Sequence, residues 1–126
     1  MEIVLKIDDK DIRFKSNAAT PLRYKAAFRK DLFSDLIYLA TLENIIDDDG
    51  NFKIEDLEGL DFDIIYRYIW ILAKTADGAI PPLLEWLDQF DDFPVFEIFA
   101  DLMPIMTSFI RQETKKKSKP KNKAKS

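Results

Sequence analysis

The side chains best suited to chemistry in this sequence are carboxylates, and their densest run is Asp-Asp-Asp-Gly at residues 47–50. Such a run suggests calcium, whose helix–loop–helix sites need acids at loop positions one, three and five, glycine at six and glutamate at twelve. Placing Gly50 at position six puts Ile45 at position one, and starting at residue 47 puts Phe52 where glycine is required. Both registers fail, so we interpret the run as a solvated acidic turn.

Most other groups that carry enzyme chemistry are missing from the sequence. It contains no histidine and no cysteine, which excludes Ser–His and Cys–His nucleophiles, thiolate zinc sites and disulfides. Its three glycines are isolated, so there is no glycine-rich phosphate loop. Sixteen aspartates make chance acid pairs inevitable, and a two-carboxylate hydrolase would need them to converge in a pocket. We therefore predict a protein that is not an enzyme, with no catalytic residues, no cofactor and no metal.

The second charged feature is a run of lysines at the end of the sequence. Residues 1–114 hold 12 basic and 23 acidic side chains, a net charge of −11, whereas residues 115–126 carry +7 and no acid. A lysine run without apolar side chains cannot bury enough surface to offset its ordering entropy. We predict a single globular domain at 1–114 and a disordered basic tail at 115–126. The basic residues of the tail are Lys115, Lys116, Lys117, Lys119, Lys121, Lys123 and Lys125.

Two interpretations of this tail stay open, solubility alone and attraction to a polyanion. The polyanion would be nucleic acid, an anionic membrane or the acidic surface of a neighbouring copy. Several lysines can neutralise several phosphates, but the acidic domain repels nucleic acid within a Debye length of roughly 10 Å. A nucleic-acid-binding accessory protein that acts through the tail is therefore the alternative function.

Apolar runs and the start of the sequence bear on location. No run approaches the roughly 20 apolar residues that cross a bilayer. A strand-like pattern begins at once, without a basic region or cleavage site typical of a signal peptide. We therefore expect a soluble intracellular protein that does not enter a membrane.

The spacing of apolar residues predicts the elements that position these groups. Alternation at 3–7 and 11–15, around a polar turn, predicts a β-hairpin with Ile12 and Phe14 facing inward. Thr20 and Pro21 indicate a helix start, with the threonine hydroxyl as cap and the proline at the first helical position. An apolar stripe from 32 to 46 predicts the next helix.

The middle of the sequence predicts a central helix. Eight of the nine residues from 64 to 72 are apolar or aromatic, and a helix apolar nearly all round is covered on several sides. Gly78 is placed as its C-terminal stop. We assign Phe62, Tyr66, Tyr68 and Trp70 to the core.

Two further helices complete the predicted fold. One starts at Pro81-Pro82, and its predicted apolar face consists of Leu83, Leu84, Leu87 and Phe90. The other starts after residue 92 and contains Pro104, which should kink it or split it in two. The predicted class is α+β, mostly α, with an N-terminal hairpin followed by about five helices.

Residues 12–32, IRFKSNAATPLRYKAAFRKDL, resemble the tail assembly chaperones of siphophages and prophages of Gram-positive bacteria. In that family a short hairpin leads into a Thr-Pro helix start, an Arg-Tyr pair, and an aromatic residue followed by Gly-Arg-Asp. The corresponding turn here is FRKD at 28–31, with Arg29 where glycine is usual, which suggests that the first two helices are more continuous than in relatives. About twenty residues match closely, and the layout is similar over most of 1–113.

The resemblance implies a role in phage tail morphogenesis without catalysis. Such chaperones coat the tape measure protein in the host cytoplasm and keep it soluble until tail-tube subunits replace them, and they are absent from the mature virion. Relatives also self-associate into spiral arrays, which here would use the hairpin edge or the aromatic residues at 86–93 in a spiral or ring. The implied partners are therefore the tape measure protein, the tail-tube protein and further copies. The candidate protein-interaction residues are Tyr24, Phe28, Trp86, Phe90, Phe93 and Phe96. For the last four, which lie around an acidic turn, membership of the core is the favoured interpretation and an exposed aromatic interface the alternative.

Overall fold

The computed structural model describes residues 1–41, 49, 51 and 59–124, with side chains as far as residue 112. The predicted solvated acidic turn at 47–50 lies, apart from Asp49, outside the described residues, as does the end of the predicted stripe at 46. The described residues form an N-terminal antiparallel hairpin followed by five helices, which confirms the α+β, mostly α prediction. The strands are β1 (Glu2–Ile7) and β2 (Lys10–Lys15), and the helices are α1 (Thr20–Phe28), α2 (Leu32–Ala40), α3 (Phe62–Ala76), α4 (Leu83–Leu87) and α5 (Val95–Ala124).

The hairpin has the predicted inward face. Asp8 and Asp9 connect the strands with φ of 52° and 64°, the left-handed conformations that a two-residue type I′ turn requires. Ile7 and Phe14 are buried, and Ile12 is half-buried. The covered face packs on α3 and α5, which supplies the support that an isolated hairpin lacks.

The start of α1 differs from the prediction that Thr20 is the N-cap. Ala19 is the N-cap, Thr20 is the first helical residue, and Pro21 follows in the first turn. The Thr20 hydroxyl is buried, accepts a hydrogen bond from the backbone N–H of Asn17, and lies 3.1 Å from the Thr75 hydroxyl of α3. Because a buried hydroxyl needs a partner, Thr20 joins α1 to α3 instead of capping a free amide.

Arg29 separates the first two helices. α1 ends at Phe28, and Arg29 has φ 57° and ψ 35°, in the left-handed region. Asp31 then caps α2, since its carboxylate accepts hydrogen bonds from the backbone N–H and the hydroxyl of Ser34. The expectation of more continuous helices is wrong, because Arg29 adopts the conformation that favours glycine and so preserves the break.

Helix α3 lies at the centre of the fold, as predicted. Nine of its 15 residues are buried, and it packs against β2, α1, α2, α4 and α5. Tyr68 and Trp70 are buried, whereas Tyr66 is only half-buried. Phe62 is 39% exposed, so its assignment to the core is wrong: the first turn of α3 emerges at the surface.

Helix α3 ends at Ala76, just before the predicted stop at Gly78, but without a left-handed glycine. Asp77 is extended, with φ −143°, and Gly78 does not have a left-handed φ. The Lys74 ammonium donates hydrogen bonds to the carbonyl oxygens of Gly78 and Ile80, both at 2.7 Å. Both carbonyls lie beyond the last helical residue, Ala76, so Lys74 ties the following loop to α3 in place of the predicted glycine turn.

The predicted apolar face of α4 is wrong at Leu84 and omits Trp86, whereas Leu83, Leu87 and Phe90 pack against the core as predicted. Leu84 is 75% exposed, whereas Trp86 is 1% exposed and fills the core. Leu83 and Leu87 are half-buried. With five residues, α4 is too short for its periodicity to define one buried face, and the large indole determines which side turns inward.

Helix α5 continues through Pro104 without being split. The proline itself is exposed, while Leu102, Ile105 and Met106 around it are buried. The backbone remains helical to Ala124, through most of the segment predicted to be disordered, and lysine favours helix locally. The side chains beyond residue 112 lie outside the described part, so a tail separate from the domain stays a prediction.

Candidate functional site

The six predicted interaction residues divide between core and surface. Tyr24, Trp86 and Phe90 are 0%, 1% and 9% exposed, respectively, and cannot contact a partner directly. Their prediction as contact residues is wrong, because aromatic side chains supply the largest groups of this core. The other three, Phe28, Phe93 and Phe96, are half-buried and keep exposed edges.

Phe28 lines an open apolar groove at the C-terminal end of α1. The groove has a volume of about 300 Å³ and lies between α1, α3 and the start of α4. Leu84 follows the lining residue Leu83 in the sequence and adds an exposed aliphatic side chain on α4. The lining residues are Ala27, Phe28, Trp70, Lys74, Pro82 and Leu83.

The ring of Phe28 is held in place by its neighbours. Its centroid lies 5.1 Å from that of Tyr24 and 5.2 Å from that of Trp70, both in edge-to-face geometry. The Arg67 guanidinium lies 5.8 Å from the centroid of the same ring. Such contacts each contribute on the order of 0.5–1.5 kcal/mol. Phe28 is therefore a pre-positioned wall of the groove.

Behind Phe28, a polar cluster ties three helices together. The Tyr24 hydroxyl donates to Asp35 Oδ2, and Arg67 Nε donates to the Tyr24 hydroxyl at 3.1 Å. Arg67 Nη2 lies 3.5 Å from Asp35 Oδ2, with both side chains less than one-fifth exposed. Burial, together with the hydrogen bond to Asp35, raises the pKa of Tyr24 far above its ordinary range. The hydroxyl thus stays a neutral donor, and the cluster positions α1, α2 and α3.

Polar atoms along the groove are engaged within the protein. The Trp70 indole N–H donates to the Pro81 carbonyl at 2.8 Å. The Lys74 ammonium is directed at the Gly78 and Ile80 carbonyls of the loop after α3, so its aliphatic stem faces the lining. The groove is therefore suited to an apolar side chain and offers little for reaction chemistry.

Phe93 and Phe96 belong to a different surface, near the first turns of α3 and α5. Phe93 stacks on Tyr66 with centroids 6.1 Å apart, and Phe96 contacts Phe62 at 5.5 Å. Phe93 also contacts the buried ring of Trp86 at 5.7 Å. The surface is thus the outer layer of the aromatic core.

Sequence reasoning missed the polar cluster and most of the groove. Arg67 carried a usable signal, because it is the one charged residue in the apolar run from 64 to 72, and a charge there needs a partner. No local sequence pattern indicates the groove, since its lining is shared among α1, α3 and the start of α4.

The described residues hold neither of two other kinds of site, a metal-binding cluster or a membrane-spanning helix. Within them, no three acidic side chains converge in a way that could hold a metal ion. In that same part of the chain, no helix combines the length and apolarity needed to span a bilayer.

Comparison with known proteins adds no relative. No family model matches the chain, and neither the curated proteins nor the solved structures give a match. Functional inference therefore depends on the groove, on the distribution of charge and on the resemblance of residues 12–32.

Proposed function

We propose that this protein is a phage tail assembly chaperone that binds the tape measure protein and keeps it soluble during tail morphogenesis. The observation that carries the proposal is the position of Phe28. This residue belongs to the segment that resembles the chaperone family, and its ring forms a wall of the apolar groove. The cargo in that family is a long helical protein, and an amphipathic helix inserts apolar side chains into grooves of this kind.

The size of the groove fits reversible binding. A volume of about 300 Å³ accommodates one or two side chains, so each contact buries far less area than a stable interface. Many copies along one extended cargo would still hold it, because linked weak contacts add up to high avidity. Weak individual contacts also let tail-tube subunits displace the chaperone one copy at a time.

Co-expression tests this function. The tape measure protein should become more soluble and co-purify with the full chain when both are made in the same cell. A helical protein of similar length from an unrelated source serves as the control for general solubilisation. An unchanged soluble fraction together with no complex would contradict the proposal.

The alternative, a nucleic-acid-binding accessory protein, is tested by a gel-shift titration at low salt. The chaperone proposal predicts weak binding, since the net charge of −11 over residues 1–114 opposes the seven lysines. Tight binding that disappears when the chain is truncated after Glu113 would favour the alternative.

A further inference from the structure

A second exposed surface joins aromatic rings to carboxylates. Its rings are Phe62, Tyr66, Phe93 and Phe96, paired across the first turns of α3 and α5 as described above. Phe62 is 39% exposed, and the other three are half-buried. We call these four rings and their flanking acids the acidic aromatic face.

The sequence segments that carry these rings have only negatively charged side chains. Residues 59–66 and 88–97 contain six acids and neither lysine nor arginine. All six carboxylate residues are exposed, and within the described residues no basic side chain lies within ion-pairing distance of them. The six are Asp61, Asp63, Asp88, Asp91, Asp92 and Glu97.

One lysine at the border shows how a cation can use this kind of surface. The Lys10 ammonium lies 5.0 Å from the centroid of the Phe90 ring and donates to the Gln89 carbonyl at 2.9 Å. Aromatic faces attract ammonium groups, and the lysine stem packs on the ring at the same time. Aromatic rings flanked by carboxylates therefore suit a lysine-rich chain.

Such a chain exists in this sequence, at residues 115–125, with seven lysines and no acid. It cannot reach the face of its own copy while α5 is helical. α5 begins at Val95 beside the face and remains helical to Ala124, so Lys115 lies about 28 Å along the axis from Phe96, at about 1.5 Å per residue. The matching segment must come from another molecule.

We infer that the acidic aromatic face of one copy binds the lysine-rich segment, residues 115–125, of a second copy. Each lysine contributes little, because exposed ion pairs are worth at most about 1 kcal/mol, but seven act together. The contact joins two different surfaces, so it propagates head to tail into a ring or an open array. It is independent of the proposed function, since no cargo takes part in it.

Zero-length cross-linking of a mixture of isotopically light and heavy full chains tests the inference. A carbodiimide joins lysine amines to carboxylates in contact, and mass spectrometry distinguishes links between copies from links within one. We expect light–heavy links that join residues 115–125 to residues 61–63 or 88–97. Links from the segment only within one copy, or equally to all acids, would overturn the inference.

Charge reversal provides a second test with a matched control. The pair Asp63→Lys and Glu97→Lys should weaken self-association at low salt by about tenfold or more, measured by sedimentation. The pair Asp11→Lys and Glu85→Lys makes the same change in net charge at exposed positions outside residues 59–66 and 88–97 and should have a much smaller effect.

Rescue separates a specific contact from misfolding. Mixing the Asp63→Lys, Glu97→Lys variant with a chain carrying Lys115→Glu, Lys116→Glu and Lys117→Glu should restore mixed association. Failure of that rescue, or equal loss in the control pair, would overturn the inference.

Discussion

The groove beside Phe28 and the acidic aromatic face are both built on α3, yet they present opposite chemistry. The groove lies along the C-terminal half of the helix, where the Lys74 ammonium is bound by carbonyls and the lining is apolar. The face lies at the N-terminal turn, where Phe62 and Tyr66 are flanked by exposed carboxylates. One helix thus supports a neutral surface at one end and an anionic surface at the other.

The difference teaches that aromatic content alone does not define a partner. Both regions have rings in edge-to-face or stacked contact, and both extend a buried aromatic core to the surface. The polar groups around the rings determine what can bind. A groove whose polar atoms are already hydrogen-bonded favours apolar side chains, whereas exposed carboxylates favour cations. A cargo helix and a lysine-rich segment therefore need not compete.

The strongest test of this comparison separates core rings from surface rings. Trp86→Ala removes a side chain that is 1% exposed and should lower the free energy of unfolding by about 3–5 kcal/mol. Phe62→Ala removes a ring that is 39% exposed and should cost less than about 1.5 kcal/mol. Urea denaturation measures both values, and similar losses for the two variants would contradict the division.

The polar cluster that holds Phe28 should show the next largest effect. Arg67→Met removes the hydrogen bond to the Tyr24 hydroxyl and leaves the Asp35 carboxylate without its cation, with only the Tyr24–Asp35 hydrogen bond remaining, and should destabilise the fold by about 2 kcal/mol. Lys6→Met, which breaks an exposed ion pair with Asp11, is the control and should cost less than about 1 kcal/mol.

A double-mutant cycle with Asp35→Asn identifies the source of that loss. We expect a coupling energy between positions 35 and 67 of about 1 kcal/mol or more. Additive effects would mean that Arg67 stabilises the fold through its contacts with Tyr24 and Phe28 and not through Asp35.

High pH should lower the free energy of unfolding. Burial raises the pKa values of Tyr24 and Tyr68 above their ordinary value of 10.0, so the folded state keeps these protons after the unfolded chain has lost them. Their contribution to stability is complete below about pH 10 and falls above it, by up to about 1.4 kcal/mol per pH unit for each tyrosine.

Denaturation of the Tyr24→Phe variant as a function of pH measures this effect. Because the variant has lost one of the two protons, its stability should decline less steeply above pH 10 than that of the native chain. An identical slope would show that Tyr24 is deprotonated equally in both states.

The smallest expected effect concerns the turn between α1 and α2. Arg29→Gly relieves a left-handed conformation at φ 57° and should stabilise the fold by roughly 0.5–1 kcal/mol. Lys30→Gly, at a position without a positive φ, is the control and should not stabilise it. Thermal unfolding compares the two, and a destabilised Arg29→Gly variant would mean that the Arg29 side chain makes a contact worth more than the strain.

The sequence was sufficient for features set by local spacing. Alternation predicted the hairpin, and the apolar run at 64–72 predicted α3 as the central helix, because each pattern depends on residues close together in the chain. Features that depend on contacts between elements were missed. The Thr20–Thr75 hydroxyl pair joins residues 55 positions apart, and Tyr24 meets Arg67 across 43.

The candidate site was predicted in part. Phe28 was singled out on the resemblance and does line the groove, but the rest of the lining comes from α3 and α4. Leu84 and Trp86 show why: five residues of helix carry too little periodicity to tell which side turns inward. Packing around α3 determines which side of α4 is buried, and this packing cannot be predicted from the sequence of a short segment.

The most direct measurement compares two neighbouring alanines of α1 for binding to the tape measure protein. Ala27 lines the groove and Ala26 lies outside its lining, and both are exposed, so arginine fits at either position without disturbing the core. If the groove binds the cargo helix, Ala27→Arg should weaken the affinity by about tenfold or more, while Ala26→Arg changes it little. Equal affinities for the two variants, with both folded, would contradict the assignment of the groove as the cargo site.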